Sequence, residues 1–472
     1  MQPDYKKRID DLRDEMIGDL GELVKIKSIT GDTSGSMPFG DNVYEALCFM
    51  LKIGARDEFR VRNFSGYCGD IQYGSVEKAE NGIVGIMSHL DVVPEGEGWE
   101  HDPFGAEISD GRMYGRGTSD DKGPTIAAYY AMRALKESGL EPKKAVRLIL
   151  GLDEETGEEK SIDYYKAHSE EPDFSVTPDS DFPVICGEMG ILIFDIVKKL
   201  KRSDKGSIEI KSIKGGNAHN MVPESAQATV VGADLGSVKR LADEFCAQTG
   251  YNVSVKGRGR SVIITAEGVS AHGAKPWKGL NAVSVLMEFL RGLSFGNSDF
   301  MEFLDFYHEH IGFDLHGERM GCSLSDEPSG KLIFNAGLAD FDGEAVKLTL
   351  NLRVPVTMTD ENVYSGMSEI LDRYGVGMVK RSYIPPIYYP PEDKRIKALM
   401  DIYRRNTGDC VSEPIVTGGG TYARNMKNAV AFGGLFPGDP DLMHQKDEYI
   451  DLERLVTMTR IYADFIYEFA VK

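Results

Sequence analysis

The alternation of short apolar runs with helical segments most constrains the fold of this chain. Apolar runs occupy 82–87 and 145–152, and a third run ends at 175–177. Between the first two runs, 124–138 predicts a helix, because a proline stands in its first turn, an alanine-rich stretch follows, and a glycine comes directly after it. Buried strands that alternate with helices favour a mainly parallel sheet, so we expect an α/β fold.

The middle of the chain has a different pattern. Segments such as 207–213 and 347–354 alternate apolar and polar residues, which predicts strands of an open antiparallel sheet. The chain has 472 residues, more than one hydrophobic core usually organises. We therefore expect an α/β domain formed by 1–187 and 382–472, interrupted by an α+β domain at 188–381.

The inserted domain contains a short internal repeat. Its first copy has Gly215, Ala218, His219 and Pro223, and the same residue types recur 53 residues later at the same spacing, as Gly268, Ala271, His272 and Pro276. The repeat predicts that the insert consists of two related halves.

Composition excludes several classes of function. Lys and Arg number 54 against 75 Asp and Glu, and the net charge of −21 argues against nucleic acid as a partner. The first 20 residues lack the apolar core of a signal peptide, and no apolar run is long enough to span a membrane. Six scattered cysteines without a Cys-x-x-Cys pair are typical of reduced thiols, so we expect a cytoplasmic protein.

Acidic and histidine residues cluster beside the predicted strands and helices of the first domain. These groups are His89 with Asp91, Asp120 with Asp121, Asp153 with Glu154 and Glu155, Asp179 with Asp181, and His444. Ligands of parallel α/β sheets bind outside the carboxyl ends of the strands. We therefore expect these side chains to meet although they are far apart in sequence.

The residue types indicate metal-dependent hydrolysis. Histidine and carboxylate without cysteine suit catalytic zinc or manganese better than a structural zinc site. A pair of catalytic metals needs a bridging carboxylate. Of Glu154 and Glu155, one can ligate a metal while the other faces the reacting water, and Asp91 can accept the free ring N–H of His89.

Each group also has an ordinary structural explanation. Asp120 and Asp121 can cap the helix that follows them, and Glu154 with Glu155 can be a solvated acidic face. The joint placement of all five groups favours the metal site. The choice between Asp179 and Asp181 stays open at this point, as does the order within the other two acidic pairs.

Six segments carry a family resemblance: SHLDVVP, YGRGTSDDKGP, DEETGE, TPDSDFP, GGGTYAR and MHQKDE. Together they resemble the dinuclear metallopeptidases related to carboxypeptidase G and aminoacylase, and most closely the PepV-type bacterial dipeptidases. NMVPESAQA and the long insert favour that branch. The resemblance implies a catalytic domain interrupted by a lid, and it covers nearly the whole chain.

Roles follow from this resemblance motif by motif. Asp120 is expected to bridge two divalent ions, zinc or manganese. His89 and Asp179 complete one metal site, and Glu155 and His444 complete the other. Glu154 is expected to be the general base. The choice of Asp179 over Asp181 follows the family pattern, which places a ligand directly after Thr-Pro.

The resemblance also implies lid residues that contact substrate. His272 is expected to stabilise the oxyanion, and Asn220 and Arg353 to bind substrate, with Arg353 gripping a C-terminal carboxylate. The backbone of Gly419, Gly420 and Thr421 is expected to add donors, whereas His219 is expected to be structural.

The predicted activity is therefore hydrolysis of small dipeptides with a free N-terminus. The alternative is an amidohydrolase that releases amino acids from N-acyl derivatives, and the least favoured alternative is a non-catalytic protein with the same fold. A lid of two related halves can supply in cis a histidine that simpler relatives take from a neighbouring subunit, so we expect a monomer.

Overall fold

The computed structural model describes residues 4–35, 37–76, 82–201 and 208–472. The chain forms two compact units. The first comprises Met1–Cys186, Tyr389–Ile415 and Gly420–Lys472, and the second comprises Gly187–Tyr388 and Val416–Gly419. The domain limits 1–187, 188–381 and 382–472 stay a prediction, because a compact unit need not be an independently folding domain.

The first unit is built on a sheet with four parallel central strands. In spatial order these are Ala145–Gly151, Ile83–His89, Phe174–Thr177 and Ala429–Ala431. Cys68–Tyr73 and then Arg60–Phe64 extend the sheet antiparallel beyond Ala145–Gly151. Every residue of Ile83–His89 and Ala145–Gly151 is buried, as expected for parallel strands covered on both faces.

Two smaller sheets complete the first unit. Glu107–Ser109, Arg112–Tyr114 and Tyr449–Asp451 form a three-stranded antiparallel sheet, and Ser180–Asp181 pairs with Gly434–Leu435. The large sheet itself continues antiparallel from Ala429–Ala431 to Ile185–Glu188. Ile185–Glu188, Ile387–Tyr388 and Ile415–Thr417 lie where the chain passes from one unit to the other.

The helices of the first unit include one that is buried on all sides. The set is Tyr5–Asp11, Arg13–Lys25, Asp41–Arg56, Lys122–Glu137, Lys160–His168, Lys394–Thr407 and Leu452–Ile466, with short helical turns at Glu154–Thr156, Tyr422–Asn425 and Tyr467–Val471. Lys122–Glu137 is buried from its first residue to Leu135. It packs against Ile83–His89 and Leu452–Ile466, and a helix enclosed in this way needs no polar face.

The helix predicted at 124–138 is confirmed as Lys122–Glu137. Two helices, Tyr5–Asp11 and Arg13–Lys25, precede it at the start of the chain, and they are separate because the backbone leaves the regular α conformation at Leu12. Both helices pack against Lys122–Glu137, so their apolar faces point to the same core.

The second unit is built on an eight-stranded antiparallel sheet. In spatial order its strands are Asn252–Arg258, Ser261–Glu267, Ser225–Val231, Glu209–Gly215, Ile333–Phe341, Ala345–Val354, Gly190–Lys199 and Gly377–Ile384. Helices Leu235–Thr249, Ala282–Arg291, Ser298–His310 and Asp360–Arg373, a short turn Pro276–Lys278 and a hairpin of Ser325–Asp326 with Gly330–Lys331 complete it. Leu348, Leu350 and Leu352 alternate along one strand and lie in its apolar core.

The predicted α/β fold with a separate α+β unit is confirmed, and the large sheet is mixed, with four parallel strands at its centre and antiparallel strands beside them. The two related halves of the insert stay a prediction. The internal repeat lies within one half of the second sheet. Its two copies follow Glu209–Gly215 and Ser261–Glu267, which flank the same strand, Ser225–Val231. The copies also contact each other, since the N–H of Val222 donates to the carbonyl oxygen of Ala271 at 2.8 Å.

The described part of the chain contains no helix with the length and apolar character that crossing a membrane requires.

Candidate metal centre

Three parallel strands of the first unit end beside one another. His89 is the last residue of Ile83–His89, and its strand partner is Gly151, the last residue of Ala145–Gly151. Glu154 and Glu155 begin the helical turn that follows, and Asp179 stands two residues beyond Phe174–Thr177. The sheet therefore brings these side chains to one edge, as parallel topology predicts.

His89 is completely buried, and its environment assigns a role to each ring nitrogen. Nδ1 lies 3.0 Å from the main-chain oxygen of Asp91 and 3.5 Å from its carboxylate. A carbonyl oxygen only accepts, so Nδ1 donates to it. Nε2 then faces Asp120 at 3.0 Å and Asp179 at 3.7 Å, and it is the nitrogen that can ligate a metal.

The carboxylate of Asp120 lies between two histidines. Its Oδ1 is 3.0 Å from Nε2 of His89, and its Oδ2 is 3.0 Å from Nε2 of His444. Burial raises the pKa of Asp120, but hydrogen bonds from His444 and His89 outweigh burial and lower it. One oxygen directed at each histidine is the arrangement that a bridging carboxylate needs.

His444 reaches the site from a loop that precedes the last helix of the first unit. Its backbone has a left-handed conformation, with φ of 63°, and its side chain is 51% exposed. Nε2 lies 2.9 Å from the Glu155 carboxylate. Hydrogen bonds to Asp120 and Glu155 raise the pKa of His444 to about 11.

The donor atoms form two groups, each suited to one cation. His89, Glu154 and Asp179 make up the first group, and Asp120, Glu155 and His444 the second, with all donor atoms of a group within 4.8 Å of one another. Nitrogen and carboxylate donors of this kind suit zinc, manganese and related divalent ions.

Electrostatics at the site favour bound cations. Burial and the Asp120 carboxylate raise the pKa of Asp179 to about 7. Burial, and after it Asp179, raises the pKa of Glu154 well above its ordinary value. The carboxylates therefore repel one another in a poorly hydrated site, and divalent cations relieve that repulsion. The residues present fit a pair of metal ions.

Asp91 holds the turn that carries both glutamates. Its carboxylate accepts the backbone N–H of Glu154 at 3.2 Å and that of Glu155 at 3.0 Å. Its main-chain oxygen accepts from His89. Asp91 thus positions three candidate site residues, of which the sequence pattern predicted only the histidine.

The structure separates the acidic residues that the sequence left ambiguous. Asp121 is buried behind His89, and its Oδ2 accepts the His89 backbone N–H at 3.2 Å. Asp153 accepts the backbone N–H groups of Lys160 and Ser161 at the start of Lys160–His168. Asp181 is exposed. These three residues lie outside both donor groups.

Three predicted substrate residues lie in the second unit. Asn220 and His272 are exposed, and each belongs to one copy of the internal repeat. The carbonyl oxygen of Asn220 accepts the N–H of Gly273 at 2.6 Å. Nδ1 of His272 accepts the N–H of Ala274 at 3.3 Å. Arg353 is 4% exposed on strand Ala345–Val354.

The predicted glycine-rich contact lies where the chain changes unit. Gly419 belongs to the second unit, and its N–H donates to Oγ1 of Thr417 at 3.1 Å. Gly420 is exposed and belongs to the first unit. Thr421 caps the turn Tyr422–Asn425, since its Oγ1 accepts the N–H of Ala423 at 3.2 Å.

Sequence reasoning missed Glu448 and Arg116, a buried ion pair next to Asp120. Arg116 donates to the Glu448 carboxylate at 2.7 Å, and neither side chain is more than 2% exposed. Both residues belong to the segments that carry the family resemblance, YGRGTSDDKGP and MHQKDE. The sequence signal that could have identified them is a charged residue that lies inside such a segment and is not itself an expected ligand.

Comparison with known proteins identifies the class of the molecule. The sequence profile of peptidase family M20/M25/M40 matches residues 85–468, and the chain belongs to this family. It is therefore a peptide hydrolase.

Its relatives are similar over their whole length. “Putative dipeptidase” of Staphylococcus epidermidis is 36% identical over 477 residues, covering 99% of this chain and 100% of the relative. “Putative dipeptidase YtjP” of Bacillus subtilis is 34% identical over 462 residues, covering 97% of this chain and 98% of the relative.

Solved structures share the fold at lower identity. Human carnosine dipeptidase 1 has a TM-score of 0.54 and 18% identity, with 98% of each chain covered. The dipeptidase Dug1p of Saccharomyces cerevisiae has a TM-score of 0.55 and 15% identity, with 99% of each chain covered. Similarity at this level of sequence identity is evidence for a shared fold alone.

Proposed function

We propose that this protein is a metal-dependent dipeptidase that hydrolyses small dipeptides with a free N-terminus. The observation that carries the proposal is the Asp120 carboxylate, which presents one oxygen to His89 and the other to His444. This arrangement occurs in a member of a peptidase family whose full-length relatives are named as dipeptidases.

Two divalent ions, zinc or manganese, are the proposed cofactors. Asp120 is shared between them, His89 and Asp179 hold the first ion, and Glu155 and His444 hold the second. When bound, such a pair lowers the pKa of a coordinated water and polarises the scissile carbonyl. The donor geometry supports this assignment, because Asp120 lies 3.0 Å from Nε2 of each histidine. Asp179 lies 3.7 Å from His89, and Glu155 lies 2.9 Å from His444.

Glu154 is the proposed general base. Burial and the neighbouring Asp179 raise the pKa of its carboxyl group, and a carboxyl group with a raised pKa is a better proton acceptor than an ordinary one. The proton passes from the attacking water to Glu154 and then to the leaving amine. Asp91 keeps Glu154 in place through the hydrogen bond to its backbone N–H.

Substrate recognition is assigned to the residues implied by the family motifs. His272 would donate to the carbonyl oxygen as negative charge develops there. Arg353 would grip the C-terminal carboxylate with two parallel hydrogen bonds, which a guanidinium makes and an ammonium does not. Asn220 and the backbone of Gly419, Gly420 and Thr421 would complete the contacts.

A cytoplasmic location and a monomeric state belong to the same proposal. All six cysteines are free thiols, which supports a reducing compartment. The monomer follows from the predicted supply of His272 within one chain. Sedimentation equilibrium at micromolar concentration should return the mass of one chain, and a stable dimer would contradict this part of the proposal.

The activity is tested by comparing Leu-Leu with N-acetyl-Leu as substrates of the metal-stripped protein, with and without added zinc or manganese. We expect metal-dependent cleavage of Leu-Leu and none of N-acetyl-Leu. Cleavage of only N-acetyl-Leu would assign the protein to the amidohydrolases. Cleavage of neither compound under any metal condition would favour a non-catalytic protein.

A further inference from the structure

Two ligands of the second donor group are carried by segments that leave a pair of adjacent strands. Arg112–Tyr114 and Tyr449–Asp451 are antiparallel, with Tyr114 opposite Tyr449. The chain runs on from Tyr114 to Asp120, and it arrives at Tyr449 from His444. Past the end of the ladder, the N–H of Gly115 still donates to the carbonyl oxygen of Glu448 at 2.9 Å.

The Glu448 side chain holds the backbone on which Asp120 stands. Its Oε1 accepts the N–H of Ser119 at 2.9 Å, the Ser119 hydroxyl at 3.1 Å and the N–H of Asp120 at 3.3 Å. Its Oε2 accepts from Arg116 at 2.7 Å. A fully buried carboxylate is thereby compensated by one cation and three hydrogen bonds.

Arg116 connects this arrangement to His444. The same Nη1 that pairs with Glu448 donates to the carbonyl oxygen of Gln445, the residue after His444, at 3.0 Å. Nη2 donates to the carbonyl oxygen of Glu95 at 3.2 Å, and the guanidinium lies 5.2 Å from the ring centre of Trp99. A planar guanidinium, with several N–H donors in fixed directions, can make all of these contacts at once.

The remaining ligands are held by other means. Glu155 is fixed by the Asp91 carboxylate, His89 ends a buried strand, and Asp179 follows another. Of the two donor groups, only the second therefore has two of its three ligands, Asp120 and His444, placed by the same ion pair.

We infer that Arg116 and Glu448 are positioning residues that set the affinity of the second metal ion. The inference rests on the proposed two-metal function. Removing the charge of Glu448 should release the Asp120 backbone and the Gln445 segment together. The affinity for the ion held by Glu155 and His444 should therefore fall more than the affinity for the ion held by His89 and Asp179.

The test measures zinc binding to metal-stripped protein by competition with a chromophoric chelator, and the visible spectrum after cobalt substitution. In Glu448→Gln we expect the second ion to bind about 10–100-fold more weakly, the loss typical of an altered outer-shell partner, with a changed cobalt spectrum. The first ion should change several-fold less. Arg116→Lys keeps the charge without the fork and should give a smaller loss in the same ion, and it serves as the test if Glu448→Gln does not fold.

Asp464→Asn is the matched control, because Asp464 is also a buried, ion-paired carboxylate of the first unit. It should keep both zinc affinities. The inference is wrong if the folded Arg116 and Glu448 variants bind the second ion as the wild type does, or if the control loses zinc equally. A wild-type protein that binds fewer than two ions would instead overturn the proposed two-metal function, and the inference with it.

Discussion

At the scale of single residues, the two adjacent glutamates face different surroundings although one turn carries both. Glu155 lies 2.9 Å from His444, whereas the electrostatics of Glu154 are dominated by burial and Asp179. Donor geometry alone also places Glu154 with His89 and Asp179. Whether a Glu154 variant keeps its metal ions therefore distinguishes a general base from a ligand.

Replacing Glu154 with glutamine should abolish most activity without loss of metal. We expect kcat to fall by about 10³-fold, within the range for removal of a general acid–base group, while the protein still binds two ions. Glu155→Gln is the matched variant and should lose the second ion. Metal analysis after dialysis, together with Leu-Leu hydrolysis, measures both effects; loss of an ion from Glu154→Gln would make Glu154 a ligand.

The two aspartates after Thr-Pro allow a second paired test. Asp179 lies 3.7 Å from Nε2 of His89, whereas Asp181 is exposed. Asp179→Asn should lower the affinity of the first ion by more than the ~10-fold typical of an outer-shell change, and Asp181→Asn should leave it unchanged. Chelator competition measures both variants, and equal affinities would refute the assignment of Asp179.

At the scale of elements, Asp464 joins three helices of the first unit. It stands near the end of Leu452–Ile466 and is 1% exposed. Its carboxylate accepts hydrogen bonds from Tyr5 at 2.6 Å, Lys6 at 3.0 Å, Arg405 at 2.8 Å and Asn406 at 2.8 Å. The first and last helices of the chain and Lys394–Thr407 are therefore held by one side chain.

This contact predicts a pH-dependent contribution to stability. Burial raises the pKa of Asp464, but hydrogen bonds from Tyr5, Asn406 and Lys6 outweigh burial and lower it. A lowered pKa in the folded state means that the stabilisation is present above the unfolded value, about 4, and is lost as the pH falls further. Asp464→Asn should lower the free energy of unfolding by about 2 kcal/mol at pH 7.

Urea unfolding between pH 2.5 and 7 measures this effect. The difference between wild type and Asp464→Asn should shrink as the pH falls below about 4. Asp10→Asn is the control, since Asp10 is 53% exposed in its ion pair with Arg460 and such pairs contribute little. A difference that stays constant across the whole pH range would contradict the proposed charge contribution.

At the scale of the whole molecule, the two donor groups connect distant parts of the sequence. His89 and Asp179 come from the first half of the chain and His444 from its last 30 residues. Unfolding disperses these donor side chains, so any ion that binds them in the folded state stabilises that state, and a tighter ion stabilises it more.

Removing metal should therefore destabilise the first unit. Ions at 100 times their Kd contribute about 2.7 kcal/mol per site, so treatment with a chelator should lower Tm and added zinc or manganese should restore it. His89→Ala with His444→Ala is the matched variant and should lose most of this response. Scanning calorimetry measures the shift, and a Tm that ignores both chelator and metal would argue against intrinsic metal sites.

Patterns that depend on near neighbours were predictable from the sequence. Buried parallel strands appear as apolar runs, half-buried antiparallel strands appear as alternation, and Lys122–Glu137 was evident from its proline and alanines. Because the carboxyl ends of parallel strands share one edge, the general location of the candidate site followed from the same patterns. The family motifs then assigned roles to His89, Asp120 and Glu155.

Side-chain direction and support were decided only by the tertiary structure. Nothing local distinguishes Asp120 from Asp121, yet Asp120 faces two histidines and Asp121 accepts the backbone N–H of His89. Glu448 acts on Asp120 from more than 300 residues away. Backbone periodicity is a property of consecutive residues, whereas the partner of a buried charge is set by which distant segments the folded chain brings within hydrogen-bonding distance.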